Sequence, residues 1–234
     1  IEKKINKILF TSSVAVYGFA TPNATENAPI KPFNNYGKSK SEAEKVYFEW
    51  QLNGNNNLTI IRPTVIFGEG NRGNVYNLFK KIASGKFVMV GKGANKKSLA
   101  YVKNISAFIA YSIDNMSAPI NIHNYIDNPN LSMNELANHI EDYLFSHKSK
   151  RIKIPYIGGL MIGLIFDLTG KVTGRKFLVS AVRIRKFVAE STYSSNISTV
   201  TDFHPPFALK AGVDNTLNAE FMSPQPDATI FYSE

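Results

Sequence analysis

KILFTSSVAVYG (7–18) and, after a polar loop, NNYGKSKSEAEK (34–45) decide how this chain folds. Ile8, Leu9 and Phe10 form a short unbroken apolar run bounded by polar residues, which suits a strand buried on both faces of a parallel sheet. Parallel sheets present ligands at the carboxyl ends of their strands, where Ser12 and Ser13 fall. From Tyr36 onward the residues are good helix formers without proline, so Tyr36 and Lys40, four apart, share one helix face. A phenol acting as a base near neutrality needs roughly 4 kcal/mol of differential stabilisation of its anion, and a neighbouring ammonium acts in that direction.

Spacing alone does not single out this pair. With 11 Tyr and 27 Lys+Arg, chance places about one Tyr four residues ahead of a basic residue, and Tyr76 and Lys80 form a second such pair. Context separates the two: the first follows a buried strand ending in Ser-Ser, a Tyr17-Gly18 step and a turn-rich loop. Chemistry is therefore expected at Ser13, Tyr36 and Lys40, and an exposed helical pair at Tyr76 and Lys80.

Together SSVAVYG (12–18), NYGKSK (35–40) and IIRPTVIFGEGNRGN (60–74) resemble the extended short-chain dehydrogenase/reductases, the NAD-dependent epimerase/dehydratase group. The likeness is strongest to its nucleotide-sugar 4-epimerases of bacterial surface-polysaccharide pathways and runs from Lys7 to about Phe221. It implies an α/β fold: the C-terminal portion of a Rossmann-type parallel sheet (1–64 and 103–127), a smaller α/β substrate-binding lobe (65–102 and 128–222) and a loose tail (223–234). NAD is the implied cofactor. By the same resemblance Ser13 hydrogen-bonds the reacting sugar hydroxyl, Tyr36 is the acid/base, and Lys40 binds the nicotinamide ribose and supports Tyr36 as a base. Ser12 and Pro63 lie at the cofactor, and Asn74 and Asn77 are candidates for the nucleotide diphosphate. Lys97 stands where the epimerases usually carry an arginine on that diphosphate; a lysine offers a point charge without the bidentate fork.

Two relatives are disfavoured on the same residues. The group's 4,6-dehydratases carry an Asp-Glu pair where this chain has Val14 and Ala15, and its 3,5-epimerase/reductases need a cysteine that this chain lacks. The resemblance implies a cytoplasmic enzyme that acts on a UDP-sugar or similar nucleotide-sugar. It also implies a homodimer of the complete enzyme through a bundle that includes the Tyr36 helix. A sugar or alcohol dehydrogenase/reductase and a non-catalytic fragment are the alternatives. A dinucleotide-binding fold needs a Gly-rich strand-to-helix turn, so that backbone amides reach the pyrophosphate. GEGNRG (68–73) and GKGAN (91–95) do not link a buried strand to such a helix, and no G-x-x-G-x-x-G turn occurs. The group keeps that turn before the strand with which this chain begins, so a fragment of a longer protein is expected.

At 234 residues, 44% hydrophobic and 19% charged, the composition is that of an ordinary globular protein. Zero cysteines exclude disulfides and thiolate metal sites. The net charge of +9 comes without a helix-turn-helix, zinc or RNP pattern. A basic surface attractive to anionic nucleotides or membrane lipid is thus favoured over nucleic-acid binding. Histidines at 123, 139, 147 and 204 show no ligand spacing, so no metal is expected. LTIIRP (58–63) reads as the next parallel strand, 104–116 as a helix and 119–127 as a returning strand. FVMVG (87–91) and SLAYV (98–102) read as a hairpin-like unit. Ser132 and Glu135 form a capping-box signature for a helix over 131–145, and 151–155 reads as a strand. The apolar run 156–166 is too short to span a bilayer and is expected as a buried lobe helix, with peripheral membrane contact as its alternative. An amphipathic helix over 177–188 and a proline turn with a last helix over 203–221 complete the reading.

Overall fold

The structure, a computed structural model, describes residues 5–19, 22–54, 56–145, 151–174, 179–224 and 229–232. In chain order the elements are β1 (Lys7–Thr11), a 3₁₀ turn (Val14–Tyr17), α1 (Asn35–Leu52), β2 (Asn57–Pro63), β3 (Val65–Phe67) and α2 (Asn74–Ala83). Then come β4 (Val88–Val90), β5 (Lys96–Tyr101), α3 (Val102–Asp114), β6 (Ile120–Tyr125), β7 (Asp127–Ser132) and α4 (Met133–Leu144). β8 (Ile152–Ile154), α5 (Tyr156–Thr173), α6 (Ala181–Val188), α7 (Ile197–Val200) and α8 (Leu209–Leu217) follow, and a π-helical turn (Asn218–Met222) extends the last helix. The chain divides into two compact units, the first being Ile1–Glu69, Ser98–Asn130 and Thr192–Thr216, the second Gly70–Lys97, Leu131–Ser191 and Leu217–Glu234.

The first unit is built on a parallel sheet in the order β1-β2-β6, with Thr11 opposite Ile61 and Pro63 opposite Tyr125. Parallel strands need crossover connections, and α1 and α3 supply them. Leu58, Ile60 and Ile61 are fully buried, as the apolar run requires, while Ile105 and Phe108 of α3 pack with Ile61 and Tyr125 into one cluster. α1 starts where Asn34 accepts the Gly37 amide at 2.8 Å and ends at Asn53-Gly54. It buries a polar face, Gly37, Ser41, Glu44 and Gln51, so packing rather than apolar periodicity holds it. Segment 192–216 belongs to this unit: Thr192 accepts the Asn23 amide, and the Ser194 carbonyl accepts from Asn124.

The second unit contains the pair β4-β8, in which Val88 to Val90 run parallel to Ile152 to Ile154. This corrects the expected hairpin of 87–91 with 98–102. β5 runs parallel to β3, with Leu99 opposite Val65, and the connector carries Gly91 and Gly93 at φ +77° and +67°. That connector is instead tied to α4, whose Asn134 amide donates to the Gly93 carbonyl at 2.9 Å. The capping box is present: Ser132 accepts the Glu135 amide and Glu135 accepts the Ser132 amide. Tyr76, expected to be exposed, is buried on Phe221 at 5.6 Å between ring centroids, and Arg72 donates to its hydroxyl. The tail is not wholly loose, because Phe231 exchanges backbone hydrogen bonds with Gly70 and Arg72 at 2.8 and 2.7 Å. Residues 177 and 178 of the expected amphipathic helix lie outside the described residues. The buried helix expected over 156–166 is overturned: α5 runs 18 residues and buries only Gly159 and Gly163.

Candidate active site

β1 ends at Thr11, and the chain turns at once into the 3₁₀ turn that Ser13 caps by accepting the Ala15 amide at 3.2 Å. The first turn of α1 lies against that turn so closely that a Cβ on Gly37 would sit 2.5 Å from the Ala15 carbonyl oxygen. Tyr36, which precedes this glycine, is thereby set beside the Ser13 turn, with its side chain 54% exposed. One helical turn later the Lys40 ammonium donates to the Thr11 carbonyl at 2.9 Å, 5.0 Å from the Phe10 ring centroid and 6.0 Å from that of Tyr36. An ammonium has three donors and one is taken, so two are left for a ligand at the end of β1. The Ser13 oxygen already accepts, which leaves its proton to be given. Ser13, Tyr36 and Lys40 are thus gathered at one strand end.

Ser12 is oriented differently. It is 2% exposed, its hydroxyl donates to Glu44 at 2.5 Å and its amide donates to the Ile61 carbonyl at 2.7 Å, so it serves the frame of the site and leaves only its carbonyl for a cofactor. Glu44, one turn beyond Lys40, pairs with Arg62 of β2 through Nε at 2.9 Å and Nη2 at 2.7 Å, both side chains being 3% exposed. Arg62 also donates to the Tyr17 hydroxyl at 2.7 Å, and that hydroxyl donates to Asn124 at 2.7 Å. Burial works against the Arg62 charge, yet the bonds and attraction of Glu44 and Tyr17 outweigh it and hold the guanidinium above its ordinary pKa. Burial pushes the Tyr17 phenol up, with Arg62 opposing. Glu26 completes the frame by accepting the amides of Asn124 and Asn196, each at 2.9 Å. Sequence pattern assigns no role to Glu44, Arg62, Asn124 or Glu26. Its one available signal was a charged residue, Arg62, inside the otherwise apolar strand LTIIRP.

Pro63 is buried at the end of β2, and the next amide, that of Thr64, donates to the Tyr125 carbonyl at 3.1 Å. Three expected substrate residues lie in the second unit. Asn74 and Asn77 are exposed on the first turn of α2, which carries no acidic residue. The Lys97 ammonium donates to the backbone carbonyls of Lys186 at 3.0 Å and Ala189 at 2.6 Å, and burial pushes its pKa down. Its charge is therefore partly committed within its own unit.

The parallel β1-β2-β6 sheet, whose first strand ends beside Ser13 and Lys40, has the Rossmann-type α/β architecture. The chain belongs to the NAD dependent epimerase/dehydratase family, whose sequence model matches residues 1–125. It is 48% identical over 232 residues, 98% of this chain and 70% of the relative, to an N-acetyl-alpha-D-glucosaminyl-diphospho-ditrans,octacis-undecaprenol 4-epimerase of Escherichia coli O157:H7. It is 28% identical to a UDP-glucose 4-epimerase of Vibrio cholerae over 74% of this chain and 55% of that relative. In fold it is similar to a UDP-glucuronic acid 4-epimerase from Bacillus cereus solved with UDP-glucuronic acid and NAD. That likeness has a TM-score of 0.67 and 18% identity, and covers 93% of this chain and 62% of the other. The donors present suit the nicotinamide-ribose end of such a cofactor: two unspent Lys40 N–H groups and the exposed Tyr36 hydroxyl.

Proposed function

We propose that this chain carries the catalytic centre of an NAD-dependent 4-epimerase whose sugar is held through a diphosphate, in surface-polysaccharide assembly. The observation that supports the proposal is the bond from the Lys40 ammonium to the Thr11 carbonyl that ends β1, two residues before Ser13 and one helical turn from Tyr36. The 48% identity to an enzyme acting on a sugar-diphospho-undecaprenol favours a lipid-linked sugar diphosphate over a soluble UDP-sugar.

In this reading the Tyr36 phenolate oxygen takes the proton of the sugar C4 hydroxyl, becoming the phenol, and the phenol returns it after the sugar has turned over. Ser13 donates to the same oxygen and keeps it in line with Tyr36. Lys40 holds the ribose hydroxyls with its remaining donors and supplies the positive charge that a phenolate at this place needs. Bound NAD supplies a reversible hydride acceptor, so that oxidation and re-reduction at one carbon leave no net consumption. Asn74 and Asn77, on an α2 turn free of acidic residues, are proposed to hydrogen-bond the diphosphate. Lys97 contributes charge there as far as its carbonyl partners allow.

The test is interconversion of GlcNAc and GalNAc on undecaprenyl diphosphate and, in parallel, on UDP by the full-length protein, with NADH monitored by absorbance. Turnover of the lipid-linked sugar without net NADH formation, lost at least a hundredfold in Tyr36→Phe, is expected. Undiminished activity of Tyr36→Phe overturns the assignment of the base, and stoichiometric NADH formation replaces the epimerase with a dehydrogenase.

A further inference from the structure

α5 is the most apolar helix of the chain, yet only 11% of its 18-residue window is buried. Its exposed residues are ordered. Ile157, Met161, Leu164, Ile165, Leu168 and Val172 are all exposed and recur at i, i+4, i+7, i+8, i+11 and i+15, within about 100° of one face and over about 22 Å of helix. The opposite face carries the two buried glycines. A Cβ on Gly159 would meet Val90 Cγ1 at 2.5 Å, and one on Gly163 would meet the Ala181 amide nitrogen at 2.7 Å. Asp167 on the same helix accepts that Ala181 amide at 3.0 Å. The helix is thus pressed flat onto β4 and the start of α6 by its glycine face, and it presents a continuous aliphatic stripe outward. Contiguous exposed apolar patches of this kind mark docking surfaces.

Charge identifies the occupant. Residues 151–188 hold eight Lys or Arg and one acidic residue, Asp167, so this stretch of sequence carries most of the chain's net charge of +9. Lys153, Lys171, Arg183, Arg185 and Lys186 are exposed. An aliphatic stripe flanked by cations fits a surface with an apolar interior and anionic headgroups. A second copy of the same face would bring like charges together around its apolar contact. Spanning is incompatible with the glycine face and Asp167, both of which are engaged by the unit's own backbone and side chains.

We propose that α5 is a monotopic membrane anchor, lying in the plane of an anionic phospholipid bilayer with Ile157 to Val172 at the acyl boundary. The surface stands independently of the epimerase reading, because binding to vesicles needs neither cofactor nor sugar.

The test is flotation of the 234-residue chain with vesicles of 30 mol% phosphatidylglycerol in phosphatidylcholine, against pure phosphatidylcholine, at low and high salt. Ile165→Glu/Leu168→Glu alters two exposed positions and serves as the comparison, its fold checked by circular dichroism. Expected are flotation with the anionic vesicles, at least tenfold weaker flotation of the variant, and weakening by 0.5 M salt. If the unmodified chain stays in the buffer fraction with anionic vesicles, the proposal fails without reference to any variant. It also fails if the double variant floats as well as the unmodified chain. Concentration-dependent dimerisation that the double variant abolishes, without vesicle binding, assigns the face to a second copy instead.

Discussion

Arg62→Met removes the guanidinium at the centre of the buried frame and keeps the length of the side chain. Glu44, 3% exposed, then loses both of its Arg62 bonds and retains one donor, the Ser12 hydroxyl at 2.5 Å. Tyr17 and the Glu26 carbonyl lose the bonds at 2.7 and 3.2 Å. A carboxylate left buried with its cation gone costs about 3–5 kcal/mol, whereas a charge-free replacement of the pair costs far less. Glu44→Gln/Arg62→Met keeps an acceptor for Ser12 and removes the charge, so it is expected to recover at least about 2 kcal/mol of that loss. Urea unfolding followed by the fluorescence of Trp50, the single tryptophan and a residue of α1, reads the perturbation close to its origin. With a slope of about 2–3 kcal/mol per M, the single variant lowers the midpoint by roughly 1–2 M. A loss below about 1 kcal/mol, or a double variant no more stable than the single, would refute the view that this pair holds α1 against β2.

Gly37→Ala tests the close approach of α1 to the Ser13 turn. Alanine gains about 1 kcal/mol of helix propensity. Its Cβ, however, would stand 2.5 Å from a backbone oxygen, and net destabilisation of about 1–3 kcal/mol is expected in the same unfolding assay; net stabilisation contradicts the geometry. The ion pair of Glu69 with Lys103 gives a pH signature. Burial raises the Glu69 pKa, but the hydrogen bond from Lys103, at 2.8 Å, with those of the backbone and Tyr101, outweighs it and leaves it depressed. A depressed folded-state pKa gives stability that is complete above the ordinary glutamate range and is lost as pH falls through the lower folded value. Lys103→Ala should therefore lower Tm at pH 7 by an amount worth under about 1 kcal/mol, and the gap should close by about pH 3; a gap that persists there assigns the effect to packing.

The residues proposed to act were legible because their signal is local. Tyr36 and Lys40 stand four positions apart, and one apolar run carries Ser13 to the end of a parallel strand, so pattern and placement coincide. The frame was not legible because its partners are distant in sequence: Ser12 meets Glu44 across 32 residues, and Tyr17 meets Asn124 across 107. α1 adds to the difficulty by burying Ser41, Glu44 and Gln51, a polar face that apolar periodicity cannot reveal. The mistaken hairpin has a related cause. β4 and β5 are neighbours in sequence, but β4 pairs with β8, more than sixty residues later, and a glycine-rich connector resembles a turn until its hydrogen bonds are known. α5 failed in the opposite direction. Its composition matches a core helix, but which face is buried depends on where Gly159 and Gly163 allow close approach.

The candidate site separates the groups proposed to act from the groups that hold them, and the division follows exposure. Glu44 and Arg62 are 3% exposed and fully engaged, while Tyr36 is 54% exposed and Lys40 and Ser13 keep donors in reserve. Both sets ride on one helix, with Lys40 and Glu44 four residues apart on the same face. Rotation or translation of α1 by even a fraction of an ångström would therefore disturb the Glu44–Arg62 bonds and the Lys40–Thr11 bond together. Substitutions in the frame should reduce stability and turnover in parallel. Tyr36→Phe, at an exposed hydroxyl, should leave unfolding unchanged and remove turnover alone. A frame variant that loses stability while keeping full turnover in the complete enzyme would show that the catalytic turn of α1 is held by something other than this network.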